Sequence, residues 1–222
     1  MEKGIIIAID GPAGAGKSTI AKMLAKELQF QYVDTGAIYR TVAYKVEKEK
    51  ISWNDCESIT AICKNLNLEF AWNDGNQSVL LDGENVTDAI RTPEVSELAS
   101  KLSALEGVRK ALLPIQRNLA KHGSSVFEGR DIGTVVLPHA HIKFFLDASL
   151  EERSTRRKKE LAQKNIPFSD EEISREIFTR DERDKNRNTA PLRQSGDAIY
   201  IDSTHMGIEE VVEKMIENIK KL

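Results

Sequence analysis

Eight consecutive residues, Gly11-Pro12-Ala13-Gly14-Ala15-Gly16-Lys17-Ser18, carry the spacing G-x-x-x-x-G-K-[ST]. Each residue type suits phosphate chemistry. Glycines let the backbone curl until several N–H groups face one anion. A helix opening at Lys17 adds unpaired N-terminal amides and the positive end of its dipole. Lys17 reaches the outer phosphates as a point charge. Ser18 is the expected magnesium ligand, since that ion keeps most of its waters and borrows phosphate oxygens. Gly11 to Thr19 is therefore the expected loop for the phosphates of a nucleoside triphosphate, with Mg2+ accompanying the nucleotide. The loop alone fits a GTPase, a motor or a kinase. The chain has no Asn-Lys-x-Asp element to read guanine and is short for a motor.

A second set of residues points to the acceptor. Bringing two polyanions together requires fixed cations, and the planar fork of arginine suits phosphate oxygens. Arg40, Arg130, Arg153, Arg156, Arg157, Arg180, Arg183 and Arg187 are the candidates. Arg180, Asp184 and Arg187 recur at i, i+4 and i+7, which places them on one helical face.

These residues need a scaffold. Five short apolar segments read as buried strands: 5–9, 31–34, 125–128, 143–146 and 198–202. Helical patterns lie between them, over 17–28 and 37–48. Such alternation predicts an α/β fold, a five-stranded parallel sheet covered by helices on both faces. Residues 66–86 break the pattern. Period-two runs at 68–72, 77–81 and 84–86 are separated by Asn73-Asp74-Gly75-Asn76 and Asp82-Gly83, and Asp-Gly favours tight hairpins. A small antiparallel meander inserted in the core is expected. Thr92-Pro93 supplies an N-cap and a first-turn proline. Ser103 and Glu106 have capping-box spacing, which predicts a helix break near 103, and Pro114 predicts a kink or interruption. Helices over 151–163 and 170–187 are expected to form a mobile arm.

The chain has 222 residues and a formal net charge of −3, which favours neither nucleic acid nor an anionic membrane as partner. No aromatic–basic stacking pattern for nucleic acid occurs. Cys56 and Cys63 fit no zinc spacing and are read as reduced structural thiols. The apolar run 4–9 is too short for a signal sequence or a span, so a cytoplasmic protein is expected. The four histidines, His122, His139, His141 and His205, receive no chemistry. No apolar stripe remains once the core is assigned, and a monomer is expected.

Four segments make a resemblance specific: residues 9–18, Asp34-Thr35-Gly36-Ala37-Ile38-Tyr39-Arg40, Glu128-Gly129-Arg130-Asp131-Ile132-Gly133-Thr134-Val135-Val136, and Arg180-Asp181-Glu182-Arg183-Asp184-Lys185-Asn186-Arg187. Along nearly its whole length the chain resembles the bacterial cytidylate kinases, a family of P-loop nucleoside monophosphate kinases. The resemblance implies transfer of the γ-phosphoryl group of ATP to CMP or dCMP, with magnesium. It divides one kinase domain into a core (1–34, 122–150, 194–222), an acceptor-binding region (35–121, with the 66–86 meander) and a lid (151–193). It implies that Thr35, Arg40, Arg130 and Arg187 hold the acceptor phosphate. Ser100, Arg109 and Asp131 then read the cytosine, Arg180 and Asp184 hold the sugar, and Arg156 reaches the transferring phosphate. Lys17, Arg130, Arg156 and Arg187 are thus the expected catalytic set. Ser18 stands where some relatives carry Gly or Thr, Thr35 where some carry Ser, and Glu128 where Asp is common. Two other readings fit the bare loop: a kinase for another small acceptor such as shikimate, and a slow regulatory NTPase.

Overall fold

The computed structural model describes residues 4–73, 76–163 and 165–221. Its centre is strand β1 (Ile6–Asp10), five residues all buried. The two-residue period of a strand sends Ile7 and Ile9 to one face of the sheet and Ile6 and Ala8 to the other. Strands β2 (Gln31–Asp34), β6 (Ser125–Gly129), β7 (Ile142–Asp147) and β8 (Ile199–Asp202) complete a parallel sheet in the order β2-β6-β1-β7-β8. All five predicted strands are present, with ends moved by one residue at most.

Helices α1 (Lys17–Leu28) and α8 (Ile208–Ile219) cover one face, where Leu24, Val211 and Met215 pack against Ile7, Ile9 and Phe144. The opposite face packs Ile6, Ala8, Val33 and Phe127 against Ile132 and Val136 of a short π-helical turn, Ile132–Val136. This turn sits directly after the Arg130-Asp131 pair.

A second core lies beyond β2. Helices α2 (Thr35–Lys48), α3 (Cys56–Lys64), α4 (Pro93–Leu102) and α5 (Glu106–Leu119) enclose Ile38, Val42, Ile59, Ile90, Leu102 and Leu112, all fully buried. Burial of each such side chain contributes about 1.5–3 kcal/mol. The meander forms as expected from β3 (Leu68–Asn73), β4 (Asn76–Leu81) and β5 (Glu84–Asn85), antiparallel throughout. At its second turn Asp82 and Gly83 take φ of 51° and 85°, the positive pair a two-residue hairpin needs. The Asp74-Gly75 step of its first turn lies outside the described residues. Trp72 Nε1 donates to the Tyr32 carbonyl at 2.9 Å and ties the meander to β2.

Two expectations are corrected here. Thr92 caps α4 by accepting from the Val95 amide, but the Ser103–Glu106 capping box does not form. The N-cap of α5 is Leu105, and the Ser103 hydroxyl turns back to donate to the Ser100 carbonyl at 2.8 Å. The α4–α5 corner is too tight for Ser103 to serve the next helix. Nor does Pro114 interrupt α5, which runs through it. Pro114 and Lys110 are exposed, so the carbonyl that the proline leaves unpaired faces water.

Helices α6 (Leu150–Gln163) and α7 (Asp170–Asn186) make the arm. Ser169 and Glu172 close a capping box at the start of α7. The arm's small apolar core is Leu161, Ile173, Ile177 and Ala13, the last contributed by the glycine-rich loop.

Candidate active site

The glycine-rich loop links the end of β1 to α1. Gly14 and Gly16 adopt φ of 74° and 89°, left-handed steps that build an amide nest. Gly16 is the N-cap of α1 and provides no side-chain cap. The first-turn amides are thus left for an anion. Ser18 and Thr19 on that turn are exposed. Lys17 is buried, and its Nζ donates to the Pro12 carbonyl at 2.6 Å, folded back over the loop. Burial first, then the nearby Arg130 guanidinium, lowers its pKa to about 7.

Cations crowd the other side of the cleft. Arg180 is lowered to about 10, by burial and then by Arg130 and Arg40, and its Nε is buried with no hydrogen-bond partner. Arg40 likewise has an unpartnered buried Nε, while its Nη2 donates to Asp34 at 2.6 Å. Burial alone would raise Asp34, but Arg40 and Arg91 together hold its carboxyl below the usual carboxylate range. Lys17 and Arg180 are therefore both repelled by neighbouring cations, Arg130 foremost. An anion entering between them would relieve that repulsion.

Two acids link three arginines in a chain, from Arg109 through Asp131, Arg187 and Asp184 to Arg130, in which each carboxylate serves two guanidinium groups. Asp131 is buried at the junction of β6 and the π turn, and it pairs with Arg109 through one oxygen and Arg187 through the other. Arg187 continues to Asp184 (3.4 Å) and to the Ala190 carbonyl (2.6 Å). Asp184 takes Arg130 Nε at 3.0 Å, and its carboxyl is held low: Arg130, Arg180 and Arg187 outweigh the opposing effect of burial. Arg109 lies over the Tyr39 ring at 5.6 Å and donates to the Ser103 carbonyl at 3.2 Å. The Thr35 hydroxyl donates to the Glu128 carbonyl at 2.7 Å. Ser100, buried on α4, accepts from Arg183 at 2.7 Å.

Thr35, Arg40, Ser100, Arg109, Arg130, Asp131, Arg180, Asp184 and Arg187 thus converge from five segments of the chain. Arg156 is placed differently. Its guanidinium donates to the Ala15 carbonyl (3.2 Å) and to Ser203, at Oγ (3.0 Å) and at the carbonyl (2.6 Å), so it braces the back of the loop.

Sequence reasoning missed several supports. Asp181, buried, accepts from the Ala13 amide at 2.9 Å and pairs with Arg153, which donates to the Ala13 carbonyl at 2.9 Å. Both peptide groups of Ala13 are therefore held by the arm. Asp10 accepts from the amides of Ile132 and Gly133 at 2.8 and 2.7 Å. Burial lifts its pKa to about 6 against those two hydrogen bonds. Glu128 is buried beside Lys17, takes the Tyr32 hydroxyl, and is pushed up by burial and by Asp34. Only the short repeat Arg180-Asp181-Glu182-Arg183-Asp184 hinted that neighbouring acids on α7 would face different partners.

The residues present fit a nucleotide-borne magnesium ion. The exposed Ser18 hydroxyl and the buried Glu128 carboxylate adjoin at the loop. Among the described residues no group of three or more His, Cys, Asp or Glu could hold a metal unaided. An ion held there would take most of its ligands from phosphate and water.

A family model described as cytidylate kinase matches residues 7–221. The chain belongs to the cytidylate kinase family. A cytidylate kinase from Geobacter sulfurreducens is 49% identical over 213 residues, covering 96% of this chain and 91% of that protein. One from Carboxydothermus hydrogenoformans is also 49% identical over 213 residues, covering 96% of both chains. In the family's fold the resemblance reaches further than sequence. A crystal structure of an uncharacterized protein from Eubacterium ventriosum superposes with a TM-score of 0.54 at 14% identity, covering 99% of this chain and all of that one. No helix among the described residues is long and apolar enough to cross a membrane.

Proposed function

We propose that this cytidylate kinase family member transfers the γ-phosphoryl group of ATP to CMP or dCMP, giving ADP and CDP or dCDP. The single observation that carries the reading is the cleft between Lys17, Arg130, Arg180 and Arg40. Lys17 and Arg180 are held below their usual pKa values, by burial and then by neighbouring cations, and Arg40 and Arg180 each keep a buried Nε without a hydrogen-bond partner.

The loop amides and Lys17 hold the donor phosphates. Lys17 leaves the Pro12 carbonyl for the outer phosphates and regains full charge beside them. Ser18, with Glu128 nearby, would hold the magnesium ion, which would supply charge neutralisation at the phosphate oxygens. Thr35, Arg40, Arg130 and Arg187 hold the acceptor phosphate, and Arg180 and Asp184 the sugar. Asp131 and Arg109 read the base: the carboxylate accepts from the cytosine 4-amino group, and the guanidinium donates to its ring acceptors. Each Asp131 oxygen has two acceptor sites, so its pairs with Arg109 and Arg187 leave room for the amine. The acceptor oxygen is already anionic and needs no general base. Catalysis is positioning plus charge stabilisation by Lys17 and the arginines.

In this reading residues 35–121 form the acceptor region and 151–193 the lid, which excludes water from the transfer. Arg156 acts from the loop's back edge and steadies the donor. ADP production measured with CMP, dCMP, UMP, AMP and no acceptor tests the assignment. Strong stimulation by CMP and dCMP alone is expected. Equal rates with and without any monophosphate would point to a slow NTPase instead.

A further inference from the structure

Arg183, one of the arginines the sequence offers for phosphate, instead bridges two parts of the molecule. It lies on α7 and donates to two α4 residues one turn apart: Ser100 Oγ at 2.7 Å and Glu97 Oε1 at 3.0 Å. Glu97 thus aims the guanidinium, and Ser100 receives it. Arg183 is about one-fifth exposed, whereas Ser100 is buried.

The direction of that bond is fixed by chemistry. A guanidinium has five donors and no acceptor, and it does not lose its charge in a protein. Ser100 Oγ must therefore be the acceptor. One of the three hydrogen-bonding directions of the hydroxyl is used, and its proton is forced away from Arg183. Among the described residues that proton is given to no acceptor. A cation behind the oxygen makes the hydroxyl a better donor and a poorer acceptor.

Ser100 is also held in place relative to the base reader Asp131. Its carbonyl accepts from Ser103 Oγ, the Ser103 carbonyl accepts from Arg109, and Arg109 pairs with Asp131. A polarised hydroxyl tied to Asp131 through these bonds discriminates between pyrimidines. Cytosine presents a bare acceptor at N3, where uracil presents an N–H. A neutral, unbiased serine serves either, by turning its hydroxyl.

We infer that Arg183 is a specificity-determining positioning residue that fixes Ser100 as a hydrogen-bond donor and so sets the preference for cytosine over uracil. The inference rests on the proposed reading of Ser100 as a contact to the base.

The test is the CMP/UMP ratio of kcat/KM in Arg183→Leu, Arg183→Lys, Ser100→Ala and the Ser100→Ala/Arg183→Leu double variant. Arg183→Leu should lower the ratio about tenfold, Arg183→Lys should largely keep it, and the double variant should match Ser100→Ala. A purely structural role would lower kcat/KM for both nucleotides alike and leave the ratio standing, and that result overturns the inference. So does a ratio that survives Arg183→Leu but falls in Ser100→Ala, which spares the Ser100 reading. If Ser100→Ala itself leaves the ratio unchanged, the base-contact reading fails and this inference with it.

Discussion

The donor and acceptor sides of the cleft are built by opposite strategies. The donor side is eight consecutive residues whose backbone turns at Gly14 and Gly16 into an amide nest, with one long side chain, Lys17, folded over it. The acceptor side has no local design. Its side chains come from α2, α4, α5, the end of β6 and α7, and they are held by carboxylates shared between arginines: Asp131 between Arg109 and Arg187, Asp184 between Arg130 and Arg187. A site made of backbone is written in adjacent letters, whereas a site made of shared ion pairs exists only once the chain has folded. The first should lose function when one charge goes, and the second should lose selectivity when one hydrogen-bonding pattern changes.

Lys17→Met probes the donor side and should have the largest effect. Turnover in a coupled ADP assay is expected to fall about a thousandfold, roughly 4 kcal/mol of transition-state stabilisation, while the circular-dichroism melt stays cooperative. Near-normal turnover would mean that the nest works without its cation, and the comparison would collapse on that side. Asp131→Asn probes the acceptor side. The amide can donate to the carbonyl that uracil carries in place of the amine, so the CMP/UMP ratio of kcat/KM should narrow about tenfold. An unchanged ratio would remove Asp131 from base reading. The smallest signal concerns pH. Lys17 sits at about 7 without ligand, and a triphosphate raises it again by favouring the charged form. Above pH 7 binding must then take up a proton, so ATP affinity should fall as pH rises, about fivefold between pH 7 and 8. Titration calorimetry in buffers of different ionisation enthalpy reads that uptake directly, and Lys17→Met should abolish it.

The same contrast explains what could be read before folding. Strands with continuous apolar runs were legible, because a parallel sheet buries both faces. The Asp82-Gly83 turn was legible because its backbone angles demand those residue types. Helices α3 and α8 carried no expectation from sequence, although Asp55 caps α3 by accepting from the Ser58 amide and Glu210 reaches back to the Gly207 amide at the start of α8. At Ser103 the spacing was right for a capping box but the tight corner sent the hydroxyl to Ser100 instead. In the site, the phosphate loop stood out by itself. The family resemblance supplied the residues proposed for the acceptor, and the fold brings them together from five segments of the chain. The partners of Asp10, Arg153, Asp181 and Arg183 could not be read because they lie far along the chain, 168 residues apart for Ala13 and Asp181 and 83 for Ser100 and Arg183, and the sequence offers Arg153 and Arg183 only as phosphate-binding candidates. No periodicity reports such a pairing.

Ala13 gives the molecule one more property. Its methyl group belongs to the hydrophobic cluster of α6 and α7, and its amide and carbonyl are both spoken for by Asp181 and Arg153. The nest and the base of the arm are consequently a single cooperative unit: neither can melt without exposing the other. Any movement of the arm at its base would break these bonds, so the cradle is tied to the helices that grip it.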